Sequence, residues 1–424
     1  MGDFLHSAAI GSTTLVAVMV MYQFVLAIAA YFHRRRAVRE MGRAMPGLEQ
    51  YPPITILVPA HNEEVVIERT VRTLLALRYP ETKLTLLVID DASTDGTAAI
   101  LDRLHRENPR VQVYHRQKPD GGLGKAAALN AATLRVTDDY IAVYDADNCP
   151  EPDSLLRLMA RFIENPSLAA AVGKFRCGNK RQNFLTRCVN IEGLCFQDIV
   201  QAGRHMIFGI AFLTGTNYVI KKSVLLEVGG WDEEALAEDS ELSTRLYMGQ
   251  YRVDYVPCSQ TWEQEPETMR VWMKQRTRWA RGNNYAIMKI IRTFAMSKDK
   301  WRTFENLLML AMSYLFLMAI VISQTILILS LCGFNHIGHD AGWIFGFWKL
   351  AAFMYVAQVW YTLALEREAQ PVNVLVGLLM YFFYGYLWMA AIVRALYHDV
   401  VVRKERIWDK TARFETELEV GDQA

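Results

Sequence analysis

No two of the six cysteines are spaced as C-x-x-C; Cys149, Cys177, Cys188, Cys195, Cys258 and Cys332 are scattered along 424 residues. That spacing suggests neither a zinc site nor a disulfide framework, and it reads as reduced thiols, most of them in a cytosolic domain. Net charge is scarce too. Lys and Arg number 46 against 45 Asp and Glu, a formal +1 that gives nucleic acid no electrostatic footprint. Internal repeats and low-complexity stretches are absent, which excludes repeat arrays and long disordered linkers. Gly121-Gly122-Leu123-Gly124-Lys125 opens a helix but lacks the Walker A spacing, so the chain is not a P-loop nucleotidase.

What is present is apolar and blocked. The hydrophobic fraction is 52%, high for a soluble enzyme, and it is concentrated in four segments. Residues 8–32 are nearly uncharged and long enough for a bilayer core of about 30 Å. They lack the basic start and small-residue cleavage site of a signal peptide. His33, Arg34, Arg35, Arg36, Arg39 and Arg43 follow, and the positive-inside rule places them and the next domain in the cytoplasm. Residues 307–334 and 343–365 read as two further spans, joined by a loop with no Lys or Arg. Residues 372–396 carry Tyr381, Tyr384, Tyr386, Trp388 and Arg394, which fits either a crossing or an interfacial helix. Four crossings would put the tail outside, yet Arg403, Lys404, Arg406, Lys410 and Arg413 argue for inside. The fourth segment is therefore read as interfacial or re-entrant. The expected organisation is a membrane helix and basic linker over 1–50, a cytosolic domain over 51–264, amphipathic interfacial helices over 265–305, a membrane region over 306–397 and a cytosolic tail over 398–424.

The central domain reads as α/β. Apolar β-rich runs at 54–58, 84–89, 111–115 and 140–144 alternate with helical patterns at 64–77, 97–107 and 125–135. Such alternation predicts right-handed crossovers and a mainly parallel sheet, inserted here between membrane helices. Acidic motifs close the strands, where such sheets present ligand sites. Asp90 and Asp91 end the second strand, and either can accept hydrogen bonds from a uracil N–H or ribose hydroxyl; the following Ser93 to Thr97 also reads as a plain turn and cap. Asp145 and Asp147 offer hard oxygens at i and i+2, suited to Mg²⁺ or Mn²⁺ bridging a diphosphate, or equally a solvated loop. Lys125, at a helix start after glycines, suits a phosphate. Glu238 and Asp239 precede a helix; Asp239 fits a general base for an acceptor hydroxyl, and the pair also fits acids favoured by a helix dipole. Gln275, Arg278 and Trp279 lie on a basic helix with Lys274, Arg276 and Arg281. An Arg there can hold a leaving diphosphate and an indole can stack on a sugar, while the same helix suits an anionic bilayer surface.

In this order, the motifs resemble the membrane-embedded, processive glycosyltransferases of family 2. These are the poly-N-acetylglucosamine, hyaluronan, chitin and cellulose synthases, and the compact form is most similar to poly-β-1,6-N-acetylglucosamine synthases. The resemblance runs from Pro52 to about Glu415. It implies a GT-A-type domain. Val58-Pro59-Ala60-His61-Asn62-Glu63-Glu64 resembles the first nucleotide loop, which assigns Ala60 and Glu63 to the nucleotide sugar. The run from Val88 to Thr97 resembles the uridine-binding motif, and Gly124 to Asn130 a block whose Lys lies near the nucleotide. Asp145-Ala146-Asp147 corresponds to the metal motif. Ala237-Glu238-Asp239 fills a slot usually written Thr-Glu-Asp, making Asp239 the base. Gln275-x-x-Arg278-Trp279 matches the motif of processive members, and Phe212 to Asn217, with Gly215 and Thr216, resembles the loop beside the acceptor. Trp408-Asp409-Lys410-Thr411-Ala412-Arg413 resembles a cytosolic gating segment, with Trp408, Lys410 and Thr411 as its gating residues. The implied activity is inverting polymerisation of a hexose from a UDP-sugar at a plasma or inner membrane. N-acetylglucosamine is the first choice of donor and glucose the second; single-sugar transfer to a lipid is the alternative. So few spans leave room for a small membrane subunit or a homo-oligomer.

Overall fold

A computed structural model describes residues 2–42, 45–332, 341–404, 411–414, 416, 418 and 419. The chain opens with helix α1 (Gly2–Met41), then strand β1 (Ile54–Ala60), α2 (Ile67–Leu75), β2 (Leu84–Asp91), α3 (Thr97–Glu107), β3 (Val111–Arg116), α4 (Lys125–Thr133) and β4 (Tyr140–Val143). There follow β5 (Cys149–Pro150), α5 (Ser154–Glu164), β6 (Ala170–Cys177), α6 (Phe184–Cys195), α7 (Ala202–Phe208), β7 (Tyr218–Lys221), α8 (Lys222–Glu227), α9 (Glu238–Met248) and β8 (Val253–Glu263). Four long helices complete it: α10 (Met269–Thr293), α11 (Lys300–Leu331), α12 (Ala341–Leu365) and α13 (Pro371–Leu396).

One sheet of order β3-β2-β1-β4-β7-β6-β8-β5 organises the domain. β1 and β2 are nearly continuous apolar runs because both faces are covered. Ile54, Ile56 and Val58 join a core with Val71, Leu101 and Met159. Leu57, Leu87 and Ile89 point the other way, against Leu129, Leu242 and Leu246. From β1 the chain winds outward through β2 to β3, then returns to place β4 on the other side of β1. That reversal opens a crevice at the carboxyl ends of β1 and β4.

The sheet is less uniformly parallel than the sequence implies. Four pairings are parallel, but β7 runs antiparallel to β4 and β6, and β5 antiparallel to β8. β7 has only four residues and β5 two, too short to show periodicity. The helix expected from Glu64 begins at Ile67. Asn62 takes φ 57°, and the Val66 and Ile67 amides both turn back to the Glu63 carbonyl, at 3.0 and 2.9 Å. Asp239 does not precede a helix; it is the second residue of α9.

The apolar segments form helices around this domain. α1 packs along α7, α11 and α12. Gly203 permits its crossing with α7, since a Cβ there would meet the Leu26 carbonyl oxygen at 2.5 Å. Among the described residues, Ile10–Met41 and Pro371–Val401 are long and apolar enough to cross a membrane. Val18, Met21, Phe24, Phe353, Leu375 and Phe382 on these helices are exposed. A charge cluster ties the α12–α13 turn to the sheet: Arg176 meets Glu366 at 2.6 Å and Glu368 at 3.1 Å, and Lys174 meets Glu366 at 3.1 Å. The α13 segment is tied at its start by α6 and just past its end by α10. Arg187 of α6 donates to Asn373 at 2.7 Å, and Arg281 of α10 meets Asp399 at 2.6 Å.

Candidate active site

A cavity of about 750 Å³ opens at the crevice and continues between the long helices. Ala60, Glu63, Asp91, Lys125, Asp145, Gly215, Glu238, Asp239, Gln275, Arg278, Trp279 and Thr411 all line it. The two acids of β2 divide because successive side chains alternate faces. Asp91 faces the cavity, accepting from Arg116 at 2.6 Å and from the Gly124 amide at 3.3 Å. Asp90 does not line it. Its oxygens are taken by the Ser93 amide at 3.1 Å and by His115 Nδ1 at 2.8 Å, so it secures the turn behind the site. Thr216 likewise stands behind: its hydroxyl accepts from the Asp145 amide at 3.1 Å and donates to Asn148 at 2.6 Å.

Lys125 joins the strand-end acids to the start of α9. Its Nζ lies 2.6 Å from Asp145, 3.1 Å from Glu238 and 2.8 Å from the Gly215 carbonyl. Burial alone would lower its pKa, but Asp145 and Glu238 outweigh that and hold it charged. Asp239 sits beside this pair. Burial and then the Glu238 charge push its carboxyl up to about 6, against the pull of Lys125. Gly215 takes φ 79°, and a Cβ there would stand 3.1 Å from Asp239 Oδ2. Glycine thus leaves room over a carboxylate poised near neutrality, the state a general base needs. Arg278 is half-buried in the same cavity, with its Nε unpartnered among the described residues.

The helix α10 supplies the other wall. Gln275 Oε1 accepts from Arg276 at 2.7 Å, and the Arg276 guanidinium lies 4.0 Å over the Trp279 ring. Glu192 of α6 accepts from Arg276 at 2.7 Å, from Tyr384 at 2.7 Å and from Trp388 at 2.6 Å. One carboxylate therefore fixes α6, α10 and α13 around Gln275 and Trp279.

The tail closes the cleft from the domain side. Arg413 meets Asp147 at 3.1 Å and donates to the Gln264 carbonyl at 2.9 Å, and the Gln264 side chain grips both backbone groups of Phe414 at 2.7 and 2.8 Å. Thr411 is buried in the wall. Trp408 and Lys410, the other expected gating residues, lie outside the described residues.

Comparison with known proteins decides the family. Residues 52–282 match the family model described as glycosyltransferase like family 2. The chain belongs to that family. It is 35% identical over 408 residues to the probable glycosyltransferase YdaM of Bacillus subtilis, covering 95% of this chain and 97% of that one. It is 29% identical to the poly-β-1,6-N-acetyl-D-glucosamine synthase of Staphylococcus aureus, over 61% of this chain and 62% of that one. Identity is 32% to the β-monoglucosyldiacylglycerol synthase of a Synechocystis strain, over 59% of this chain and 52% of that one. Among solved structures, a mannosyltransferase from Pyrobaculum calidifontis in complex with GDP-Man and Mn²⁺ shares the fold, with TM-score 0.59 and 21% identity, over 90% of this chain and 99% of that one. The protein is a glycosyltransferase with a GT-A-like sheet.

The transferase carries a donor set that fits a divalent cation. Asp145 and Asp147 present hard oxygens, each now met by one cation, Lys125 and Arg413. Half-buried Glu263 beside them is pushed well above the usual carboxylate range, first by desolvation and then by the Glu265 and Asp147 charges. Among the described residues no three metal-type side chains gather at one point, so a diphosphate would complete the shell. Sequence reasoning missed Glu192, Glu263, Gln264 and Glu265 as site residues, and placed Arg413 in the gating segment without giving it a role of its own. The acid-rich Glu263-Gln264-Glu265 immediately before the Gln275 helix was the available signal. Glu192 had none, being a lone acid on an apolar helix.

Proposed function

We propose that this transferase is membrane-embedded and processive, adding hexose units from a UDP-sugar to the non-reducing end of a β-glycan with inversion. The observation that carries this reading is the single cavity holding Asp239, the strand-end carboxylates and the Gln275–Trp279 wall together. Asp239 takes the proton from the acceptor hydroxyl. The freed oxygen attacks the anomeric carbon in line, the bond from that carbon to the diphosphate oxygen breaks, and UDP leaves. Arg278 and Lys125 neutralise the charge that grows on the diphosphate. Mg²⁺ or Mn²⁺, held by Asp145 and Asp147, would supply further Lewis-acid neutralisation there. Ala60, Glu63 and Asp91 hold the nucleotide, with Asp90 securing the turn beneath them. Gln275 and Trp279 receive the terminal sugar beside Gly215, and the tail with Thr411 covers the loaded cleft.

N-acetylglucosamine is the first choice of donor, supported by the likeness to the staphylococcal synthase; glucose is the second. The interfacial reading of α13 is supported by its two ends, both anchored to helices of the catalytic side. The tail's grip on Gln264 supports placing it in the cytoplasm with that domain. A second reading, transfer of one sugar to a lipid, is favoured by the aliphatic lining of the upper cavity, with Val16, Met19, Val20 and Ile320. The likeness to the diacylglycerol enzyme favours it too.

The test is direct. Purified protein in lipid nanodiscs with Mn²⁺ is offered UDP-N-acetylglucosamine, UDP-glucose, UDP-galactose and UDP-glucuronate separately. A long homopolymer from one donor is expected. A lipid carrying one sugar would replace the polymer reading with the second.

A further inference from the structure

Glu265 is a buried acid that the mechanism above leaves unused. It is 5% exposed, and its Oε2 has no hydrogen-bond partner among the described residues. Its backbone is pinned on both sides by one buried amide: Asn179 Oδ1 accepts from the Glu265 amide at 3.0 Å, and Asn179 Nδ2 donates to the Glu265 carbonyl at 2.9 Å. The fold thus uses a buried Asn to fix a residue with one carboxylate oxygen, Oε2, left without a hydrogen bond among the described residues, and an unsatisfied buried acceptor is destabilising. Glu265 lines the same cavity as Gln275, Arg276 and Trp388, and the Arg276 charge acts on its carboxyl. Arg276 is 1% exposed and its Nε is likewise without a partner. Arg276 lies 4.0 Å from the Trp279 ring and 5.5 Å from the Trp388 ring, so an unsatisfied donor and an unsatisfied acceptor share one cavity wall with two indoles, a setting that suits a ligand able both to donate and to accept.

We propose that Glu265 is an acceptor-binding residue, accepting hydrogen bonds from hydroxyls of the terminal pyranose while Arg276 Nε donates to a neighbouring oxygen of the same sugar. A pyranose supplies both kinds of group at short spacing, together with an apolar face for an indole. Neither an alkyl chain nor a diphosphate would satisfy an acid here. The carboxyl is pushed up to about 7 by burial, partly offset by Arg276, which is consistent with a group lacking solvation until the sugar arrives. The inference rests on the transferase reading above and adds the part of the site that holds the acceptor.

The experiment uses the full chain in nanodiscs and two titrations: UDP with Mn²⁺, then a β-linked N-acetylglucosamine tetrasaccharide added to the UDP–Mn²⁺ complex. Glu265→Gln should weaken tetrasaccharide binding about tenfold or more and leave UDP affinity within about twofold. Glu265→Asp, which keeps the charge but withdraws it, should fall between. Unchanged tetrasaccharide affinity in Glu265→Gln overturns the inference. So does a parallel loss of UDP affinity in both variants, because Glu265 would then be structural. If the wild type ignores the tetrasaccharide and glycosylates a lipid, the polymer reading fails by itself. The same variants are then compared by KM for that lipid glycoside, and an unchanged KM overturns the role of Glu265.

Discussion

On the side of the cavity proposed for the donor, three carboxylates at or just past strand ends are met by cations: Asp91 by Arg116, Asp145 by Lys125 and Asp147 by Arg413. On the acceptor side the wall is helical, and groups that bear on a ligand are left without partners, as with Arg276 Nε and Glu265 Oε2. The difference fits what each half would hold under the proposed reaction. A nucleoside diphosphate with its cation is strongly charged, so a site for it must keep its own acids neutralised until the ligand arrives. A sugar is neutral, and its site has only unsatisfied hydrogen bonds and aromatic faces to offer. Asp239 stands at the seam, with Lys125 on one side and the helix α10 on the other.

The largest effect should come at that seam. Asp239→Asn should cut transfer by about a thousandfold while UDP affinity stays within about twofold, because the amide keeps the shape but cannot take the proton. Retained turnover would remove Asp239 as the base. Asp147→Ala separates the halves next. Mn²⁺-dependent UDP binding, read by titration calorimetry, should weaken about a hundredfold, and binding of a preformed oligosaccharide should change little. Equal losses on both would show that the halves are not independent.

A smaller effect follows from pH. As the proposed base, Asp239 would act deprotonated, and its pKa is raised to about 6. Activity is therefore at its plateau above that value and is lost as pH falls through it. kcat/KM should drop about tenfold between pH 7 and pH 5. The residual rate of Asp239→Asn should lack this limb, and a limb that persists belongs to another group.

The two halves also differed in how far the sequence revealed them. β1, β2, α3 and β3 stand within a residue or two of their expected places, because buried strands and amphipathic helices impose period and length on the chain. The donor acids were visible for the same reason: they end those strands. What stayed hidden was which acid faces inward. Asp90 and Asp91 are equivalent as text, and only the strand's alternation sends one to the cavity and the other to His115. The acceptor wall was half legible. Gln275, Arg278 and Trp279 share one helix and so carry a local pattern. Glu192 and Glu265 reach them from α6 and from the end of β8, far apart in sequence. No local period encodes such a meeting. The tail's closure on Gln264 is equally non-local.

The smallest expected effect sharpens the comparison most, because it touches the acceptor half alone. Trp279 presents an indole to the cavity with the Arg276 guanidinium against its ring at 4.0 Å, so its position is fixed before a sugar arrives. Stacking of this kind contributes about 1 kcal/mol beyond area, so Trp279→Ala should loosen the acceptor roughly fivefold. The rate of the first transfer at saturating acceptor should change little. Each added sugar, however, gives the chain another opportunity to dissociate, and a modest rise in dissociation compounds over many cycles. Product length, sized by mass spectrometry, should therefore shorten far more than the rate falls. Full-length product from Trp279→Ala would mean that the ring serves Arg276 and not the sugar.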